Sequence, residues 1–195
     1  TIIAKEAAAA GTKQLFSPVL DLAREPRWGR TQETYGEDPY LAAQMGLAYV
    51  TGVQGADGSP DVEHVAATPK HFAAHGSPTG GINLAPVSCG ERELRSLYLV
   101  PFKKAVCEAN ALSVMNCYSE MDGVPAACNR ILLTDILRNE WGFRGYVHSD
   151  WGAIEMLFRY HRTARSLSEA GKQAIEAGVD VDGPTTEAFG KRLLN

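Results

Sequence analysis

The sequence predicts an α/β fold built on parallel strands, a (β/α)8 barrel of the TIM type of which about five strand–helix units are present. Short apolar runs alternate with amphipathic stretches along the whole chain. The two longest polar excursions, residues 21–38 and 73–90, each follow the end of an apolar run, which is where barrel enzymes place their chemistry. Neither a G-x-G-x-x-G turn nor a Walker A sequence occurs, and this removes the usual support for an open nucleotide-binding sheet. A full barrel takes ~250 residues. With 195 residues, this chain is expected to hold a partial copy.

An Ala-rich helix is expected over residues 1–10, closed at Gly11, where a left-handed residue ends a helix at no steric cost. No start signal precedes it, so upstream sequence is expected. The first strand candidate covers residues 14–20. After the polar loop, Asp38 is the N-cap of a helix with Pro39 at its first position, and Leu41, Met45, Ala48 and Tyr49 recur at helical spacing. A second strand is expected at 65–72, then the Gly- and Pro-rich loop, then a helix over about 90–109 broken or kinked at Pro101. Residues 111–117 form the third strand, and a helix over about 134–141 ends at Gly142. Strands at 145–149 and 178–181 flank a last helix at roughly 168–177. No hairpin signal of the Asn-Gly kind is read between them, so the strands are expected to be parallel, with covering helices.

Composition narrows the function. The chain is 45% hydrophobic with a net charge of -4, and its 19 basic residues form no stripe that would track phosphates, which argues against a nucleic-acid partner. No stretch approaches the ~20 apolar residues of a membrane span. The four cysteines, Cys89, Cys107, Cys117 and Cys128, show neither C-x-x-C nor zinc spacing and read as free thiols. No cofactor motif is present.

Asp150 closes the fourth strand and is followed by Trp151, placing a carboxylate beside an indole at the rim. A carboxylate can attack or stabilise an oxocarbenium-like centre, and an aromatic face packs on the apolar face of a pyranose. The plain alternative is a helix-cap or turn aspartate. Lys70 and His71 end the second strand as candidate hydroxyl ligands, although strand alternation sends the two side chains to opposite faces unless the backbone bends there. Arg30 can either join Arg27, Glu33, Glu37 and Asp38 in a surface ion-pair network or reach inward to a sugar hydroxyl. Tyr118, after the third strand, can hold a carboxylate in place or simply pack. Glu120, Asp122 and Glu155 are further acids whose ordinary role is solvated. His71 and His75, four apart, resemble half of a helical zinc site, but that reading needs a third ligand such as His148 to converge with them.

Taken in order, the runs SPVLDLAREPRWGR (17–30), ETYGEDP (33–39), PKHF (69–72) and GFRGYVHSDW (142–151) resemble the β-glucosidases and β-xylosidases of glycoside hydrolase family 3, and the likeness extends to VDVD at 179–182. That resemblance implies a partial N-terminal barrel domain over residues 1–195, with strands missing upstream and an α/β sandwich domain missing downstream. It implies a retaining mechanism with Asp150 as nucleophile. Arg30, Lys70 and His71 match residues that bind hydroxyls of the first sugar, Tyr118 matches a tyrosine near the nucleophile, and Trp151 matches the aromatic flanking the next subsite. The implied ligands are β-glucoside or β-xyloside oligosaccharides or aryl glycosides. The family's general acid/base matches no residue here and is expected from the downstream domain. The loop at 73–83 lacks the Asp-His dyad of the β-N-acetylglucosaminidase branch, which favours a glucosidase or xylosidase. The isolated chain is expected to be a poor catalyst and, with two open sheet edges, to aggregate or to depend on the remaining sequence.

Overall fold

Five extended segments lie side by side in chain order in the computed structural model, which describes residues 2–56, 58, 60–184 and 186–194. Regular pairing is brief. β1 (Gln14–Leu15) runs parallel to β2 (Ala66–Ala67), and β3 (Ser113–Met115) runs parallel to β6 (Tyr146–His148). Single parallel bridges carry the sheet onward: Val19 with Lys70, Phe72 with Asn116, and His148 with Val181. Backbone bonds support each junction, among them Leu20 N–H to Lys70 O, Phe72 N–H to Met115 O, and Ser149 N–H to Val181 O. Five parallel strands in sequential order form an arc of a (β/α) barrel, as the alternation of runs predicts.

The strands are apolar because both faces are covered. Ala66, Ala67, Val114 and Val147 are buried, and the layer beneath the helices is filled by Phe72, Phe102, Leu132, Leu133, Ile136, Leu137 and Ile154. Phe72 meets Phe102 and Trp141 edge-on, with ring centroids 5.2 and 5.8 Å away. Gly145 begins the fourth strand so close to its neighbour that a Cβ there would overlap the Leu112 carbonyl. That position requires glycine.

Around the arc, α1 (Ile2–Ala9) ends before Gly11 at φ 82°; Thr1, placed in this helix from the sequence, lies outside the described residues. α2 (Pro39–Gln54) starts as its sequence dictates, with the Asp38 side chain accepting from Leu41 N–H at 2.7 Å and Pro39 in the first turn. The expected helix over 90–109 is divided into α3 (Glu91–Glu93), a wide π-type segment (Leu94–Tyr98) and α4 (Val100–Cys107). The break falls at Leu99, so Pro101 sits in the first turn of α4, where its missing N–H costs nothing. The next helix, also π-type, spans Ile131–Glu140 and begins earlier than expected because Asn129 accepts from Leu132 N–H at 3.0 Å.

Two expectations need correction. Residues 119–126 hold an antiparallel hairpin, β4 (Glu120–Met121) with β5 (Val124–Pro125), turned by Asp122 and Gly123, both at positive φ. An Asp-Gly pair favours this turn, and its signal was passed over. A helix, α5 (Ala153–Arg159), also follows Asp150 directly, where none had been assigned. α6 (Leu167–Ala177) is capped by Ser166, whose hydroxyl accepts from Glu169 N–H.

Candidate active site

The polar residues at one end of the arc converge on a cavity of about 270 Å³ lined by Phe16, Arg30, Lys70, His71, Met115, Tyr118, Asp150 and Trp151. That is near the ~300 Å³ lower end of small-molecule clefts. Arg30, Lys70, His71, Tyr118, Asp150 and Trp151 all lie in this lining, each from the end of a strand or the loop after it, whereas His75, His148, Glu120, Asp122 and Glu155 do not.

Asp150 is 7% exposed. Its Oδ1 accepts from Tyr118 O–H at 2.8 Å and from Trp151 N–H at 2.7 Å. Its Oδ2 is buried without a hydrogen-bond partner and lies 3.4 Å from His71 Nε2. Burial, and then the Asp150 charge, raise the Tyr118 hydroxyl well above the ordinary tyrosine range, so it stays a donor. Asp150 is therefore clamped through one oxygen and without a donor on the other.

Lys70 and His71 do share one cavity. The peptide between them is cis, and alternation does not separate their side chains. Arg30 pairs with Glu33 and also lines the cavity. Its Nε and Nη2 donate to Glu33 at 2.8 Å each, while Nη2 lies 3.2 Å from His71 Nε2 and Nη1 lies 3.4 Å from His75 Nε2. The Arg30 hydrogen bonds hold Glu33 below the usual carboxylate range. Arg27 stays outside and pairs with Glu25. Trp151 is 61% exposed and leaves its ring free beside Asp150.

Two residues at the site were not assigned these roles from sequence. Asp21 is 1% exposed, and its Oδ2 accepts from both the backbone N–H and Nδ1 of His71, at 3.2 and 2.7 Å. Burial raises the Asp21 carboxyl, but its close electrostatic contact and hydrogen bonds with His71 outweigh that and hold the pKa low. Its signal was the one that found Asp150, a carboxylate ending an apolar strand. His75 is fully buried among Trp28, His71 and Tyr118, with Nδ1 3.3 Å from Ser119 Oγ. Burial lowers its pKa to about 4. His148, the third histidine of the metal reading, instead turns Nδ1 to Ser149 O and packs against Phe16. Among the described residues no group of three or more His, Cys, Asp or Glu is placed to ligate a metal.

The sequence model of the glycosyl hydrolase family 3 N-terminal domain matches residues 1–190. The chain belongs to glycosyl hydrolase family 3. Within that family it is 41% identical over 93% of its length to a putative β-xylosidase of Formosa agariphila, and 39% identical over 92% to a periplasmic β-glucosidase of Salmonella typhimurium. A β-glucosidase of Listeria innocua superposes with a TM-score of 0.91 at 42% identity over 96% of the chain, and one of its structures contains laminaribiose. The chain spans about a quarter of the length of these relatives: 24%, 23% and 26% respectively.

Proposed function

We propose that this segment supplies the first-sugar site and the nucleophile of a retaining exo-β-glycosidase that removes terminal non-reducing β-D-glucosyl residues, or β-D-xylosyl residues as the next reading. The observation that carries this is the divided environment of Asp150. Tyr118 and the Trp151 amide fix Oδ1, which leaves Oδ2 without a hydrogen-bond partner on a residue that lines a sugar-sized cavity. In this reading Oδ2 attacks the anomeric carbon, the C–O bond to the leaving group breaks, and a glycosyl ester forms on Asp150, which water then hydrolyses. Arg30, Lys70 and His71 hold hydroxyls of the sugar as its ring flattens, and the open indole of Trp151 stacks on the leaving-group side.

A general acid must be protonated at working pH, and the site carboxylates nearest Asp150 do not qualify. Asp21 is enclosed and held ionised by His71, and Glu33 is held ionised by Arg30. This supports residues 1–195 being part of a larger domain arrangement in which the acid/base comes from elsewhere in the polypeptide. The similarity to β-glucosidases and β-xylosidases points the same way.

The test is to incubate the full native polypeptide with a 2-fluoro-glucoside or 2-fluoro-xyloside and to locate the trapped sugar by peptide mass spectrometry. Label on Asp150 is expected, and the faster-reacting sugar identifies the substrate class. Turnover with label on another carboxylate overturns the nucleophile assignment. Sugar binding without turnover or label means a binding module instead.

A further inference from the structure

We propose that Asp21 is a positioning residue that acts through His71, fixing the imidazole proton on Nδ1 so that the Nε2 lone pair accepts from Arg30 and holds the guanidinium at the cavity. The proposal rests on the site reading above and adds a residue outside the cavity lining.

The argument is one of donors and acceptors. Asp21 Oδ2 faces His71 Nδ1 at 2.7 Å, and an ionised carboxylate can only accept, so the proton on that nitrogen belongs to the imidazole. Across the ring, Arg30 Nη2 lies 3.2 Å from Nε2. A guanidinium can only donate, so Nε2 must offer a lone pair. Asp150 Oδ2, 3.4 Å from the same nitrogen, then receives no hydrogen bond, which agrees with its lack of a partner. His75 repeats the pattern, with Nε2 toward Arg30 Nη1 and Nδ1 toward Ser119 Oγ. One guanidinium, already forked onto Glu33, is thus met by two imidazole acceptors. Lys70, the other cation of the cavity, lies on the same strand end.

Asp21 has no other evident task. Its Oδ2 contacts only His71, and its Oδ1 is buried with no partner at all. A buried carboxylate supported on one side is costly to keep as a structural element. As a tautomer clamp it has a use, because Nε2 then accepts from Arg30 Nη2 and helps to fix the guanidinium beside the cavity. With the proton on Nε2 instead, that nitrogen and Arg30 Nη2 would present two donors to each other.

Two measurements test this in the full native polypeptide. Imidazole nitrogen NMR with labelled histidine, assigned by loss of signal in His71→Gln, should show His71 protonated at Nδ1 and bare at Nε2. This readout requires no catalysis, so it stands even if the glycosidase reading fails. Protonation at Nε2 in the unsubstituted protein overturns the proposal, whether or not any variant folds. Second, Asp21→Asn should lower kcat/KM about tenfold to a hundredfold, the range seen when a group that orients an imidazole is lost, and should have no further effect in a His71→Gln background. An equal loss in both backgrounds would show that Asp21 acts structurally rather than through His71.

Discussion

Tyr118 and Asp150 stand at the ends of adjacent parallel strands and meet through a 2.8 Å hydrogen bond. The pairing of Met115 with His148 sets that register, so sheet geometry brings a phenol to a carboxylate 32 positions later. A donor fixed on Oδ1 orients the carboxylate and leaves Oδ2 without a hydrogen-bond partner.

Tyr118→Phe removes that donor while keeping the ring. A hydrogen bond to a charged group contributes about 1.5–3 kcal/mol, so kcat of the full polypeptide should fall roughly tenfold to a hundredfold. The 2-fluoro-glycoside should still label Asp150, only more slowly. Steady-state kinetics and labelling rates check both parts.

Asp150→Asn should separate activity from stability. Turnover is expected to drop by about six orders of magnitude, the scale for loss of a covalent nucleophile. The thermal midpoint should hold or rise, because the amide removes a buried charge of which one oxygen has no partner. Calorimetry decides it, and a drop of several degrees contradicts this account.

His75 predicts an acid-side loss of stability. Its folded pKa is depressed from 6.5 to about 4, chiefly by burial, with Arg30 and His71 acting in the same direction and Asp21 and Asp150 opposing. Below pH 6.5 the unfolded chain takes up a proton that the folded one refuses, so stability declines from pH 6.5 down to about 4, by about 3 kcal/mol in total. His75→Gln keeps an acceptor for Arg30 and should flatten that limb in denaturant melts collected against pH.

Gly145→Ala should fail by backbone overlap. The new methyl would collide with the Leu112 carbonyl inside the β3–β6 pairing, where neither strand can move away without breaking the ladder. A destabilisation of about 3 kcal/mol, at the upper end for overpacking, is expected by chemical denaturation.

What the sequence disclosed followed from local chemistry. Asp38 and Pro39 announce a helix wherever they precede helical spacing, and Asp150 was visible because a carboxylate ended an apolar run. Asp21 ends an apolar run in the same way, yet its role needs His71, 50 positions on, and no local pattern carries that pairing. Lys70 and His71 can share a ligand only where the backbone departs from strand alternation, and the sequence carries no local sign of that departure. The Asp122-Gly123 hairpin was legible and was masked by the surrounding parallel pattern. For His75 the local cue, a histidine four residues from another, pointed toward metal, whereas its surroundings of Trp28, Tyr118 and Ser119 come from distant loops.

The sequential order of the strands has a consequence for synthesis. A ribosome releases Asp21, Arg30, Lys70 and His71 well before Asp150, and each new strand docks beside the one that emerged just before it. The basic wall of the cavity can therefore be standing, with its imidazole already oriented by Asp21, when the last carboxylate arrives. The nascent chain presents a prepared wall to Asp150, which joins a site where Asp21 and Glu33 already face His71 and Arg30.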